Sequence, residues 1–157
     1  MIKEEEIKQE IIKNFSYLDG KIRVQRVRRI FVDVPYENFD EVFKHLIKNT
    51  GFEMLCTITG LDEGATFGLI YHLARKDGIV LNLKINVPKA NPIIKTVINY
   101  FPGAIMYERE IVDLFGIKVE GLPSGARYPL PDNWPIDEYP LRKDWKPENL
   151  NQKMEKK

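Results

Sequence analysis

The feature that most constrains the fold is a predicted β-hairpin at the centre of the chain. Residues 66–74 and 79–87 are rich in aliphatic and aromatic residues, and the Asp77-Gly78 pair between them is typical of a tight hairpin turn. In the second segment apolar side chains occupy every other position. Such alternation places one face of a strand against a core and leaves the other in solvent. We therefore expect an antiparallel sheet with one buried face.

The segments on either side of the hairpin carry both helix and strand patterns. Apolar residues spaced three and four apart predict helices at 2–15, 36–49, 92–100 and 103–115. Runs rich in β-branched residues predict two more strands, at 22–34 and 52–59. The expected fold class is therefore α+β, with an antiparallel-rich, four-stranded sheet packed with helices.

Regular periodicity is lost in the last quarter of the chain. Six of the ten prolines lie between Pro123 and Pro147, interleaved with large aromatic residues, and proline cannot donate a hydrogen bond to a helix or a sheet. We therefore divide the chain into an α+β domain at 1–117 and a Pro-rich, extended C-terminal docking arm at 118–157. The first half of the arm suits its own domain as well as a partner, whereas the tryptophans at 133–145 favour contact with a partner protein.

Composition argues against several classes of function. The 24 basic and 23 acidic residues leave a net charge of +1, which gives no global reason to bind nucleic acid or an anionic membrane. A basic cluster at 21–29 makes a nucleic-acid-binding module a distant alternative, although its apolar residues indicate a strand with a solvated charged face. No apolar run approaches the roughly 20 residues of a membrane span. The N-terminus has no signal-peptide core, so we expect a cytoplasmic protein, and the abundant lysine, glutamate and isoleucine are compatible with a thermophile.

The cysteine and histidine content argues against a metal or redox centre. Cys56 is the only cysteine, which excludes an internal disulfide and any iron–sulfur cluster or cysteine-rich zinc site held by this chain alone. We expect Cys56 to be a small, buried strand residue. His45 and His72 have no other potential ligand nearby in the sequence, and we expect each to be structural or exposed.

The only concentration of potentially chemical groups is the sequence EREIVD at 108–113. On a helical projection, Arg109, Glu110 and Asp113 lie opposite the apolar face, where Arg109 and Asp113 are spaced to form an ion pair. We expect these three side chains to face solvent or a partner protein.

Glu108 instead falls in the middle of the apolar face of the same helix. A buried carboxylate needs a cationic partner or several hydrogen bonds, and Arg127 and Arg142 are the candidate cations. The alternative is an autonomous enzyme with Glu108 and Asp113 as acid and base. It needs a further titratable group in a cleft, which the sequence does not supply, so we predict no catalytic residue.

Two motifs that occur in order resemble those of a known family. EREIVDLFGI at 108–117 is followed by Gly-x-Pro at 121–123 and by Arg127, and later by PDNWP at 131–135 and YPLRKDW at 139–145. They resemble the thirty-kilodalton subunit family of NADH-quinone oxidoreductase (complex I), which includes the equivalent small subunits of membrane-bound, energy-converting nickel–iron hydrogenases.

The resemblance implies a role for the matching positions. They would fix the helix against the arm, and the arm against a large partner subunit. These positions are Glu108, Arg109, Glu110, Asp113, Gly116, Arg127, Trp134, Pro140, Leu141, Arg142, Lys143 and Asp144.

The resemblance also implies a subunit that binds no cofactor itself. It would belong to the hydrophilic arm of an oxidoreductase complex, packed against a hydrogenase-like large subunit and an iron–sulfur subunit. The nickel–iron centre and the iron–sulfur clusters would lie in those partners. The chain would be peripheral, on the cytoplasmic side of the cell membrane, reaching the membrane only through partner subunits and binding no nucleic acid.

Two departures from the family pattern separate the closest alternatives. Leu122 stands where the family often has the histidine of Gly-His-Pro, and Ala126-Arg127 leaves one arginine where two are common. These departures favour a complex of the hydrogenase type or of another relative over the quinone-linked type. The alternative is the equivalent subunit of a complex I type quinone oxidoreductase that uses NADH or another donor.

Overall fold

The chain forms two compact units in a computed structural model that describes residues 3–148 and 150. The first unit comprises Met1–Thr59 and Gly68–Asn86, and the second comprises Gly60–Phe67 and Val87–Lys157. The end of the predicted arm, at 151–157, lies outside the described residues. The division at residue 117 into domain and docking arm stays a prediction.

A five-stranded, mostly antiparallel sheet confirms the α+β fold class. Its strands are Ile22–Arg26 (β1), Arg29–Asp33 (β2), Met54–Asp62 (β3), Thr66–Ala74 (β4) and Val80–Pro88 (β5), in the spatial order β1-β2-β5-β4-β3. β1 pairs antiparallel with β2, whereas β2 pairs in parallel with β5. The two strands of the predicted hairpin are β4 and β5, which are neighbours in the sheet.

Two helices of the first unit match the predicted ones, Lys3–Asn14 (α1) and Phe39–Asn49 (α2). The ring centroid of Phe39 lies 4.9 Å from that of Phe43 and 4.8 Å from that of Tyr71 on β4, so α2 packs on the sheet through aromatic contacts. The apolar positions of β5 predicted to face the core are buried, but Asn82 on its other face is buried as well.

The single strand predicted at 22–34 is wrong, because the segment forms both β1 and β2. Arg28 lies between them with a left-handed φ of 61°, and Val27 beside it is 71% exposed. The carboxylate of the buried Glu4 accepts the Arg28 N–H at 2.6 Å and so holds the turn. The turn contains neither glycine nor proline, so the β-branched pattern runs through it unbroken. The sheet therefore has five strands rather than four.

The helix predicted at 92–100 is also wrong. Ile93–Lys95 forms a strand (β6) that pairs in parallel with Lys118–Glu120 (β7). The backbone groups of this segment find their partners far along the chain, which a local apolar spacing does not reveal. The following helix, Ala104–Phe115 (α3), confirms the prediction at 103–115. None of the described helices is long and apolar enough to cross a membrane.

Cys56 is exposed, contrary to the prediction that it is buried. It lies on β3, one of the two edge strands of the sheet, where Met54 is also 61% exposed. An outermost strand has a neighbouring strand on one side only, so its side chains have fewer groups to pack against.

Both histidines have partners within the first unit. His45 Nε2 lies 3.1 Å from a carboxylate oxygen of Glu10. His72 contacts the Thr59 hydroxyl at 2.9 Å and the Asn82 side-chain oxygen at 2.6 Å through its two ring nitrogens. These contacts agree with the structural role expected for each.

Candidate functional site

Helix α3 carries four of the twelve predicted site residues, and a glycine fixes where it ends. Gly116 has φ of 69°, a left-handed conformation that favours glycine, and its N–H donates to the carbonyl of Val112 at 2.9 Å. A Cβ at this position would lie 2.5 Å from the Tyr139 ring and 2.7 Å from Nη2 of Arg142. Glycine is therefore required both by the backbone conformation and by the close packing.

Glu108 is completely buried, as its place on the apolar face predicts. Its two oxygens accept hydrogen bonds from the Thr96 hydroxyl at 2.6 Å and the Val97 N–H at 2.7 Å. Burial raises the pKa of this carboxyl, and the two hydrogen bonds offset part of that rise. The predicted requirement for several hydrogen bonds is confirmed. An ion pair with Arg127 or Arg142 is wrong, since no described cation pairs with Glu108.

Asp113 is buried, contrary to its predicted place on the outward face. Its carboxylate accepts the Nε–H of Arg127 at 3.3 Å and the N–H of Leu130 at 3.2 Å, so the expected ion pair with Arg109 is wrong. Arg127 in turn donates from Nη1 to the carbonyl of Trp134 at 2.7 Å. These contacts fasten the segment after β7 to α3, and their sequence separation explains why the helical projection missed them.

Arg109 and Glu110 remain on the more open side of α3, as predicted, and both are partly exposed. The Arg109 guanidinium packs directly against Gly125, where any Cβ would collide with it. Gly125 was not singled out by the sequence, because only the packing shows that its missing side chain makes room for an arginine.

The second motif closes the C-terminal end of α3. Arg142 donates from Nε to the carbonyl of Phe115 at 2.6 Å, and the N–H of Leu141 donates to the carbonyl of Leu114 at 3.1 Å. The guanidinium carbon lies 4.4 Å from the Tyr139 ring centroid and 5.3 Å from that of Phe67. The last carbonyls of a helix have no partner within it, so these contacts satisfy an end that would otherwise need water. The neighbouring Pro140 is partly buried.

Lys143 and Asp144, which follow Arg142 in the second motif, belong to an ionic network that the sequence did not predict. Lys89 Nζ lies 2.7 Å from Asp62 and 2.9 Å from Asp144, while the backbone N–H of Lys143 donates to Asp62 at 2.9 Å. The Asp62 side chain is only 2% exposed. Burial raises its pKa, but the Lys89 ammonium and the amide groups of Lys143 and Gly64 more than offset this, lowering the pKa to about 2.

This network predicts a loss of stability in acid. The pKa of Asp62 is lower in the folded chain than the value of about 3.9 expected when unfolded. Its stabilising contribution is therefore present above about pH 4 and is lost as the pH falls toward 2. Urea unfolding measures the free energy of unfolding of the native chain and of Asp62→Asn, and the difference between the two should become smaller as the pH is lowered over that range. Asp132→Asn, an exposed aspartate, is the control, and equal behaviour of the two variants would contradict the prediction.

Two tryptophans of the predicted arm pack within the second unit. The ring centroids of Trp134 and Trp145 lie 6.2 Å apart, and both indole N–H groups donate to Glu138: Trp134 to its carbonyl at 2.8 Å and Trp145 to its carboxylate at 2.7 Å. Glu138 is 5% exposed and was not among the predicted residues. Partly buried indoles need acceptors for their N–H groups, and an acid between two tryptophans was the available signal.

Two clefts have Arg127 in their lining. One, of about 360 Å³, is lined by Arg109, Asp113, Lys118 and the segment at 122–128. The other, of about 390 Å³, reaches Gly116, Ile136 and Tyr139. Their lining includes two exposed side chains with large apolar surfaces, Tyr128 at 41% and Ile136 at 81% exposure. An open surface of this kind suits contact with another protein.

Glu108 and Asp113, the two carboxylates weighed as acid and base, are both engaged in contacts within the second unit. Glu108 lines neither of the two clefts, and the Asp113 carboxylate is engaged by Arg127 and Leu130. Across residues 3–148 and 150, no group of three or more His, Cys, Asp or Glu side chains is placed to hold a metal ion.

Comparison with protein families agrees with this geometry and with the motifs. The sequence profile described as "Respiratory-chain NADH dehydrogenase, 30 Kd subunit" matches residues 32–150. The match includes both motifs and most of the sheet.

Individual proteins with similar sequences or structures carry related names. A subunit of the F(420)H(2) dehydrogenase of Methanosarcina mazei is 34% identical over 120 residues, which cover 74% of this chain and 75% of that protein. Membrane-bound hydrogenase subunit beta of Pyrococcus furiosus is 31% identical over 124 residues, covering 75% and 70%. A chain in the structure of the membrane-bound sulfane sulfur reductase, an archaeal respiratory membrane complex, superposes with a TM-score of 0.77 at 28% identity, covering 99% of this chain and 93% of that one. This chain therefore belongs to the family of the respiratory-chain NADH dehydrogenase 30 kDa subunit.

Proposed function

We propose that this chain is a non-catalytic, hydrophilic-arm subunit of a membrane-bound, ion-translocating oxidoreductase of the energy-converting nickel–iron hydrogenase type. Its task is to scaffold the large catalytic subunit and the neighbouring cluster-bearing subunit, so that electron-transfer distances stay fixed. The nickel–iron centre and the iron–sulfur clusters belong to those partners. The chain is peripheral, on the cytoplasmic side of the membrane, and is held there by partner subunits.

The observation that carries the proposal is how the motif residues are used. Glu108, Asp113 and Arg142 bind backbone and side-chain groups of their own unit and thereby make α3 and the following segment rigid. Ile136 and Leu141 remain exposed on this surface. The motif side chains are thus used to hold this surface together, and the apolar side chains beside them are not covered by any described group. Both observations support a scaffold function better than an enzymatic one.

Relatives support the choice of complex. Proteins named as subunits of a membrane-bound hydrogenase and of F(420)H(2) dehydrogenase match this chain over most of its length. Leu122 and the single Arg127 favour the hydrogenase type over the quinone-linked type. The description of the matching family supports the alternative, the equivalent subunit of a complex I type quinone oxidoreductase.

Purification of the native complex through an affinity tag on this chain tests the proposal. We expect a large subunit with four cysteines able to hold nickel and iron, a separate iron–sulfur subunit, and no turnover by the chain alone. A large subunit without those cysteines would favour a quinone- or sulfur-linked complex. A chain that purifies alone and turns over a substrate would overturn the scaffold function.

Ile136, an exposed residue, tests whether the surface around it contacts the large subunit. Ile136→Asp should reduce recovery of the large subunit by about tenfold or more, because a charge placed in an apolar contact is desolvated without a partner. The thermal midpoint of the isolated chain should stay unchanged, since Ile136 is 81% exposed.

Val27→Asp is the matched control, because Val27 is also exposed, at 71%, but belongs to the first unit. We expect full recovery of the large subunit with this variant. If Ile136→Asp recovers as much of the large subunit as Val27→Asp does, the contact lies elsewhere on the chain.

A further inference from the structure

The cleft between α3 and the segment at 122–128, here called the basic cleft, carries uncompensated positive charge. Arg109, Lys118 and Arg127 line it, and Asp113 is its one acidic lining residue. Asp113 is already bound by Arg127 and by the N–H of Leu130. Within the part of the chain that the structure describes, Arg109 and Lys118 form no ion pair and no side-chain hydrogen bond. The basic cleft therefore has a net charge of about two positive units at neutral pH.

Arg127, unlike Arg109, is held in place by polar contacts before any ligand binds. Arg109 packs against Gly125, whose missing side chain leaves room for the guanidinium. Arg127 is fixed through Nε by Asp113 and through Nη1 by the Trp134 carbonyl, with Nη2 not used in either contact. Guanidinium groups bind carboxylates through paired N–H donors, and groups that are already ordered lose less entropy on binding.

The rest of the lining indicates what kind of molecule supplies the negative charge. Val119, Leu122, Pro123 and Tyr128 contribute apolar surface to the walls of the basic cleft. A free inorganic anion would leave this surface exposed to water. A polypeptide segment with an acidic side chain between apolar ones would cover the walls and neutralise the cations together.

We propose that the basic cleft binds an acidic segment of a neighbouring subunit, with its carboxylate at Arg109 and Lys118 and its apolar side chains against Leu122 and Tyr128. This inference rests on the proposed function, because it needs a neighbouring subunit. It goes beyond that function by naming the chemistry of one contact. Ile136 itself does not line the basic cleft, although Lys118 and Arg127 line both this cleft and the second one, to which Ile136 belongs.

Photo-crosslinking in the complete complex tests the occupant. p-Benzoylphenylalanine is introduced in place of Ser124, an exposed residue that lines the basic cleft, and the complex is purified through a tag on this chain. Mass spectrometry should identify a crosslinked segment of another subunit that contains Asp or Glu beside apolar residues. The same probe in place of Val27 is the control and should not reach that segment.

Several crosslinking outcomes would overturn the inference. Crosslinks only to a second copy of this chain, only within the chain, or only to a segment without Asp or Glu would each do so. If the complex purifies intact but Ser124 yields none of the expected crosslink, the inference fails while the proposed function stands. If no partner purifies at all, both fail.

Charge variants test the role of the cations. Arg109→Gln combined with Lys118→Gln should lower the yield of that crosslink by at least about tenfold and make it less sensitive to salt. Lys44→Gln combined with Lys48→Gln removes the same charge from exposed positions of α2 and should leave the yield unchanged. A charge exchange should restore the crosslink yield: the acidic residue identified in the partner segment is replaced by lysine in a complex whose chain carries Lys118→Glu. Equal effects of the two double variants would overturn the inference.

Discussion

Replacing Glu108 by alanine is expected to lower the free energy of unfolding by about 3 kcal/mol, because it leaves buried donors without an acceptor and opens a cavity. The donors are the Val97 N–H and the Thr96 hydroxyl, which the Glu108 carboxylate accepts at 2.7 and 2.6 Å. Glu108→Gln keeps the size of the side chain and an acceptor oxygen, so its cost should be much smaller. Glu110→Ala, on the open side of the same helix, is the control and should change stability by less than about 0.5 kcal/mol.

The comparison of the native chain with Glu108→Gln also has a defined pH dependence. Burial raises the pKa of Glu108 in the folded chain above its unfolded value, so the folded state holds the proton more tightly. The native carboxyl therefore favours folding most below its unfolded pKa of about 4.3 and loses that advantage as the pH rises through the folded pKa. Urea unfolding at pH 4, 5.5 and 7 should show that the free energy of unfolding of the glutamine variant rises, relative to that of the native chain, as the pH increases. A difference that is constant, or that grows in the opposite direction, would contradict this assignment.

Arg142→Ala is expected to destabilise the second unit by about 2.5–5 kcal/mol. It removes a charged donor from the Phe115 carbonyl, worth roughly 1.5–3 kcal/mol, and two cation–π contacts, each worth roughly 0.5–1 kcal/mol. Arg142→Lys keeps the charge but loses the planar group that stacks between Tyr139 and Phe67, so we expect an intermediate cost.

Urea unfolding and hydrogen exchange at the end of α3 would measure the effect of Arg142. Lys143→Ala is the matched control from the same motif, because Lys143 contacts Asp62 through its backbone N–H, which alanine retains. We expect this control to stay within about 0.5 kcal/mol of the native chain. If both variants unfold alike, Arg142 does not cap the helix.

The sequence predicted those parts of the fold whose signal is local. The alternation through β5 and the Asp77-Gly78 pair located the hairpin, and helical spacing located α3 and the burial of Glu108. The hidden turn at Arg28 and the strand β6 were missed because long-range contacts determine them: Glu4 holds the turn, and β7 pairs with β6.

The role of the motif residues at an interface stays a prediction, and their pairing differs from the one expected. The motif residues do gather around α3, yet Arg127 binds Asp113 rather than Glu108, and Arg142 binds a backbone carbonyl. A helical projection ranks side chains by direction around one axis and assumes that the opposite side is solvent. Asp113 was misplaced because the segment that covers it has no periodicity from which its path could be inferred.

The exposure of Cys56 has a practical consequence for studying this chain. A single accessible thiol lets the native sequence take one maleimide-linked fluorophore or spin label on β3, without any substitution. The same thiol will join two copies through a disulfide if the chain is purified in air. Such dimers separate on addition of a reductant, so measurements of subunit stoichiometry should be made with a reductant present.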